Sequence, residues 1–163
     1  MKDYQSNVKI LGIDPGTGIV GFGFIEADSK NLRLVDAGVI RTPANQAAEL
    51  RLLTIYDEVR QLIEEYKPQW LSIEKLYFAR NVTTAMTVAQ SRGVILLAGV
   101  QAKLEIAEYT PLQIKMAITG YGRADKKQVQ EMVKILLTLE QIPKPDDAAD
   151  ALAAAITHAQ FIT

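Results

Sequence analysis

Four carboxylates stand where chemistry could use them. Asp14 closes an apolar run, ILGID, and Pro15-Gly16-Thr17-Gly18 follows at once. A carboxylate so placed projects from a strand end into a loop mouth, although an aspartate ahead of Pro-Gly is also an ordinary turn former. The glycines of that turn would let backbone approach a phosphate closely. Glu74 closes a second run, Trp-Leu-Ser-Ile-Glu. An ionised glutamate there costs on the order of several kcal/mol unless it ligates a metal or is paired, for example with Lys75 or Arg80. Asp147 and Asp150 open PDDAADALAAAIT at i and i+3, so a helix carries both on one face. Acids at such a position also cap a helix and complement its dipole. Asp146 fits the cap best, which leaves Asp147 and Asp150 for other work. Alanines at 148, 149, 151, 153, 154 and 155 make this helix slim enough to lie close on a sheet.

The residue types narrow the chemistry. There is no cysteine, so disulfides, thiolate metal sites and thiol nucleophiles are excluded. The one histidine, His158, lies more than two helical turns beyond Asp150 and reads as structural or surface. Carboxylates alone suit hard cations: Mg²⁺ or Mn²⁺ fits this donor set, and zinc does not. Two such ions roughly 4 Å apart are the recurrent device for in-line attack on a phosphodiester, activating water on one side and stabilising the leaving 3′-oxygen on the other.

Those acids need elements to bring them together. Runs at 8–13 and 19–26 read as strands around the Pro-Gly turn, and a third strand is expected at about 32–42. Helical periodicity covers 47–66, and Pro68 stops it ahead of a short buried strand at 70–73. A long helix at 81–103, a strand at 104–109 and helices at about 111–119, 126–139 and 146–160 complete an α/β chain with a mixed sheet. Parallel strands gather their carboxyl ends at one crevice, so Asp14 and Glu74 could be neighbours. The 163 residues, 48% of them apolar, suffice for one domain with a continuous core. No linker or repeat divides 1–163, and 1–7 is expected to be a flexible N-terminal extension. The longest apolar run, VILLAGV, is too short to span a bilayer, and the N-terminus lacks a signal-peptide core, so a cytoplasmic protein with no membrane association is expected.

The net charge of −1 hides an uneven distribution. Residues 1–74 carry 8 basic and 11 acidic groups, 75–134 carry 9 and 4, and 135–163 carry 1 and 4. A basic segment between two acidic ones is either ordinary surface variation or a polyanion-binding face beside carboxylates.

In this order the residues closely resemble the RuvC family of Holliday-junction resolvases, within the RNase H-like, retroviral-integrase superfamily. The resemblance runs from Ile10 to His158, through ILGIDPGTGIVGFGFI, SIEKLYFARN, AQSRGV, KMAITGYGRADKKQV and DDAADALAAAITH. It implies an RNase H-like fold, a mixed five-stranded sheet flanked by helices. It places the family's catalytic, metal-binding acids on Asp14, Glu74, Asp147 and Asp150. It also implies a homodimer using Mg²⁺, two ions per active site with Mn²⁺ as a substitute. Such an enzyme nicks four-way junction DNA symmetrically in recombination and repair, leaving 5′-phosphate and 3′-hydroxyl ends. The family's dimer interface falls on the 81–103 helix, where Val94, Leu97 and Val100 are compatible, although core packing is the commoner use of such side chains. Tyr77 matches the aromatic that stacks at the junction centre, while Phe78 reads as core. Lys115 and Lys126 match lysines that contact the DNA backbone; Arg80 and Arg123 are further candidate phosphate contacts. Lys126 and Lys127 open a helix, where the dipole disfavours cations, which favours an anionic partner. The family also works with a branch-migration motor.

Two features depart from the family. The chain ends without the basic tail many members carry, and its pI of about 5.9 is low for a DNA-binding protein. Nonspecific affinity, which comes mainly from phosphate neutralisation, would then be weaker or rest on the basic middle segment. The alternatives are a junction-binding protein without cleavage, which would not need four mutually repelling acids, and a branched-DNA or flap nuclease with the same metal site. An actin-like ATPase needs two such domains to enclose a nucleotide, and this length supplies one.

Overall fold

The computed structural model describes residues 7–76 and 82–162. Strand β1 (Val8–Asp14) turns through the Pro-Gly segment into β2 (Ile19–Ala27), and β3 (Leu32–Arg41) follows. Helix α1 (Ala48–Tyr66) ends where Lys67 takes a left-handed conformation. Then come β4 (Trp70–Glu74), α2 (Val82–Gln101), β5 (Glu105–Tyr109) and the helices α3 (Pro111–Thr119), α4 (Lys126–Leu136) and α5 (Asp146–Ile162). Both α3 and α4 start with complete capping boxes, Thr110 with Gln113 and Asp125 with Gln128.

The sheet order is β3-β2-β1-β4-β5. Strand β2 is antiparallel to β1 and β3, and β4 is parallel to β1 and β5. This is the mixed five-stranded sheet that the sequence predicts. Alternation along the strands sorts the core into two layers. Leu11, Ile13, Leu71 and Ile73 face α1 and α2, with Ile55, Val59 and Ile95 opposite. Ile10, Ile25 and Ala107 face α3, α4 and α5, with Ile114, Val133 and Ile156 opposite.

The second face has an unusual floor. A Cβ added to Gly12 would lie 1.9 Å from the carbonyl oxygen of Ala151, and one added to Gly21 would lie 2.0 Å from that of Asp147. The backbone of α5 therefore rests directly on the backbones of β1 and β2. On the neighbouring strand the hydroxyl of Ser72 donates to the carbonyl of Ala154 at 2.6 Å. Ala148, Ala149 and the run Ala151–Ala159 are all buried. Bulky side chains at those positions would hold the helix off the sheet.

Two expectations need correction, for α4 and α2, and a third, for His158, is narrowed. Helix α4 stops at Leu136 rather than 139, because Thr138 adopts φ 54°, a reversal made without the glycine that usually signals one. Of the two readings of His158, structural or surface, the structural one holds. The residue is buried, its ring centroid lies 4.2 Å from that of Trp70, and its Nδ1 shares a 2.7 Å hydrogen bond with the Tyr109 hydroxyl. Burial pushes its pKa down to about 4, so it is a neutral core residue. On α2, core packing claims fewer side chains than expected. Ile95, Ala98 and Gly99 face the sheet, while Val82, Met86, Leu97 and Val100 point outward at helical spacing. The start of the expected 81–103 helix and most of the expected N-terminal extension lie outside the described residues.

Gly12→Ala is expected to destabilise the protein by about 3 kcal/mol, the upper end of overpacking costs, because its new methyl meets backbone that cannot rotate away. A urea midpoint shift at unchanged m would show it. A midpoint equal to wild type would mean that α5 is not seated as described.

Candidate active site

Strands β1 and β4 run parallel with Ile13 opposite Ile73, so the next residues, Asp14 and Glu74, emerge side by side at the carboxyl ends. On the other flank Asp14 is registered with Gly21, the residue on which the Asp147 carbonyl rests. The close seating of α5 thus carries Asp147 to Asp14, and Asp150 follows one turn later on the same helix face. Sheet register and helix seating together bring the four predicted acids to the same end of the sheet.

Their electrostatics show how close they are. Burial first, and then the charges of Asp150, Asp147 and Glu74, push the Asp14 pKa up to about 8. The nearness of the Asp147 side chain adds to this rise. Glu74 is raised by burial and by Asp150, with Lys115 opposing. Asp150 is raised by burial against the opposing hydrogen bond and charge of Lys126, with Asp147 and Asp146 adding to the rise. These are like charges held together at the edge of a core.

Lys126 Nζ lies 3.2 Å from Asp150 Oδ2 and 3.6 Å from Asp146 Oδ2. Burial works to lower the Lys126 pKa, but the hydrogen bond and charge of Asp150, with Asp146 and Asp14 behind it, keep it above the usual lysine range. The anionic partner inferred for this helix-opening lysine is thus found within the chain. Asp146 is the first residue of α5 rather than its cap, and its carboxylate turns to Lys126. A cleft of about 220 Å³ opens here, with Glu74, Asp150, Lys115 and Lys126 around an apolar floor of Ile114, Val129 and Ala153. Arg123 is exposed on the turn before α4 and is not among the residues that line the cleft. Tyr77, Phe78 and Arg80 lie outside the described residues. Among the described residues Glu74 forms no ion pair, with Lys75 or any other cation.

Two supports were not visible in the sequence. The Arg92 Nε donates to the backbone carbonyl of Glu74 at 3.2 Å, and its guanidinium also pairs with Glu108, which fixes the end of β4. Within the acid-free stretch 75–104 this arginine reads as a surface cation, and only the fold reveals its internal partners. The other support is Thr42, whose hydroxyl donates to the Thr17 carbonyl in the turn after Asp14 at 2.5 Å.

The donor set fits a hard divalent cation. Every acid offers carboxylate oxygen, and no sulfur or imidazole nitrogen competes in the cleft. Among the described residues no three His, Cys, Asp or Glu side chains are gathered into a ready-made cage. The acids stand near enough to act on one another's charge, Asp14 with Asp150, Asp147 and Glu74, and Glu74 with Asp150. That suits Mg²⁺, which is typically held by one or two carboxylates and completed by water and substrate phosphate.

Residues 10–158 match the family model described as Crossover junction endodeoxyribonuclease RuvC. The protein of that name from Brevibacillus brevis is 55% identical over 154 residues, covering 94% of this chain and 93% of its own. RuvC from Thermus thermophilus superposes with a TM-score of 0.88 at 32% identity, covering 94% of this chain and 95% of its own. The same Thermus protein in complex with Holliday junction substrate gives 0.89, also at 32% identity and 94% coverage of each chain.

The raised pKa of Asp14 fixes the sign of a pH effect. The folded state holds this proton more tightly than the unfolded state, so stability falls as pH rises from the usual 3.8 toward about 8. With divalent ions chelated, wild type is expected to lose melting temperature over that range relative to Asp14→Asn, the two converging at the acid end. Parallel curves across the range would show that Asp14 does not carry the repulsion.

Proposed function

This chain belongs to the RuvC family of crossover junction endodeoxyribonucleases, and we propose that it resolves four-way Holliday junctions by symmetric, Mg²⁺-dependent hydrolysis. Its products are nicks with 5′-phosphate and 3′-hydroxyl ends, which a ligase can seal, and its setting is cytoplasmic DNA recombination and repair. The observation that carries this reading is the convergence of Asp14, Glu74, Asp147 and Asp150 at one end of the sheet, beside a lysine-lined cleft.

Asp14, Glu74, Asp147 and Asp150 would hold the cations. When bound, these ions supply Lewis acidity that activates water and stabilises the leaving 3′-oxygen. The chain's own residues set the stage. The carboxyl ends of β1 and β4 fix Asp14 and Glu74, and α5 fixes the other two acids. Lys126 compensates Asp150 until a phosphodiester arrives, when its ammonium becomes available to the phosphate. Lys115, across the cleft beside Glu74, offers a second backbone contact. We assign Tyr77 to base stacking at the junction centre on the family resemblance, with Arg80 and Arg123 as outer phosphate contacts.

Two simultaneous cuts require two active sites related by a two-fold axis, hence a homodimer. Support comes from α2, where Val82 is 68% exposed, Met86 60%, Leu97 50% and Val100 60%. Their spacing of four, eleven and three residues keeps them on one side of the helix, and a second copy would cover that stripe. In the same reading a branch-migration motor supplies the junction.

The test uses a labelled mobile junction beside linear duplex and flap controls, with and without Mg²⁺. Paired, ligatable nicks on the junction alone are expected. Asp150→Asn is expected to lower the rate by about 10³-fold, as for loss of a principal electrostatic group, while still binding the junction. Binding without cutting in either Mg²⁺ or Mn²⁺ would make the protein a junction-binding module. Equal cutting of flaps would overturn the substrate assignment.

A further inference from the structure

Arg51 sits in the first turn of α1, where a cation opposes the helix dipole and stabilises nothing locally. Among the described residues it forms no ion pair. Its Nε donates to the Thr42 hydroxyl at 2.9 Å. That buried hydroxyl in turn donates to the Thr17 carbonyl at 2.5 Å, and the Thr42 N–H donates to the Gly18 carbonyl at 3.0 Å. Both carbonyls belong to the 15–18 turn that leaves Asp14. The Arg51 Nη2 also lies against that turn, 3.4 Å from where a Cβ on Gly18 would be.

The turn needs such a clamp. A Cβ on Gly16 would lie 2.2 Å from the Ile19 carbonyl, so the chain reverses too tightly for a side chain to brace it from within. Asp14 must meanwhile hold its position against three neighbouring carboxylates. Thr42 is satisfied in both its donor and acceptor roles only while Arg51 is present. Its side chain can therefore grip Thr17 in one orientation.

We propose that Arg51 is a positioning residue for the active site: acting through Thr42, it locks the 15–18 turn and so fixes the Asp14 carboxylate for cation binding. This rests on the metal-site reading above. It predicts a defect in cation affinity rather than in DNA affinity. Loss of an outer partner of a metal ligand typically weakens metal binding 10–100-fold, and about 10-fold is expected here.

The experiment measures Mn²⁺ affinity of the full chain without DNA by titration calorimetry, together with junction affinity in Ca²⁺ and the Mg²⁺ dependence of cleavage. Arg51→Gln is expected to weaken Mn²⁺ binding about 10-fold and to raise the half-maximal Mg²⁺ concentration similarly, with junction affinity unchanged. Thr42→Val should reproduce the defect, Thr42→Ser should preserve wild-type behaviour, and the double variant Arg51→Gln/Thr42→Val should be no worse than either single change. The Thr42 pair also decides the matter if Arg51→Gln fails to fold. Wild-type Mn²⁺ affinity in Arg51→Gln and Thr42→Val would overturn the proposal. So would a loss confined to junction affinity, which would make Arg51 a phosphate contact. Because the calorimetry contains no DNA, a wild-type protein that binds Mn²⁺ but leaves junctions intact would refute the substrate reading and still test Arg51.

Discussion

The seating of α5 on bare backbone is the constraint from which the rest of the structure follows. At Gly12 and Gly21 there is no room for even one methyl between sheet and helix. Hydrophobic burial alone would not demand this, since a leucine-rich helix at ordinary distance would cover the same sheet. What close seating supplies is reach: aspartate side chains are short, and a helix resting on strand backbone carries them to the strand ends. The alanines of α5 and the glycines of β1 and β2 thus form one device divided between distant parts of the chain.

The same device creates a tension. Four carboxylates meet at the margin of a core, and each of the three with a shifted pKa is pushed upward chiefly by burial. Fold stability would be better served by neutral side chains, a familiar conflict where a site must bind a cation or a charged substrate. The chain moderates it with internal cations. Lys126 sits on Asp150, Lys115 faces Glu74, and Arg92 fixes the backbone that bears Glu74. None of these neutralises Asp14 by direct contact, so the turn beyond it is held by hydrogen bonds instead.

Much of this was legible in the sequence because the signals were local and physically distinct. Apolar runs ending in Asp14 and Glu74, the alanine pattern after Asp147 and the breaks at Pro68 and Pro111 mark β1, β4, α5, the end of α1 and the start of α3. The small residues of α5 also announce close packing, although the sequence does not say against what. Illegible features were those that depend on a partner far along the chain. Arg92 reads as a surface cation until β5 brings Glu108 to it. Val94 turns inward while Leu97 and Val100 turn outward, and apolar character alone does not separate them. Thr138 reverses the chain with an ordinary side chain, so composition gives no warning. The family resemblance supplied what no local pattern holds, the four-way junction and the paired cut.

We propose that the α5 seating assembles a divalent-cation site from four separated acids. Anomalous diffraction from crystals soaked in Mn²⁺ tests it most directly. Mn²⁺ density is expected among the carboxylates of Asp14, Glu74, Asp147 and Asp150, with Lys126 displaced from Asp150. Saturating Mn²⁺ that binds only elsewhere on the chain, leaving these four carboxylates without density, would contradict it.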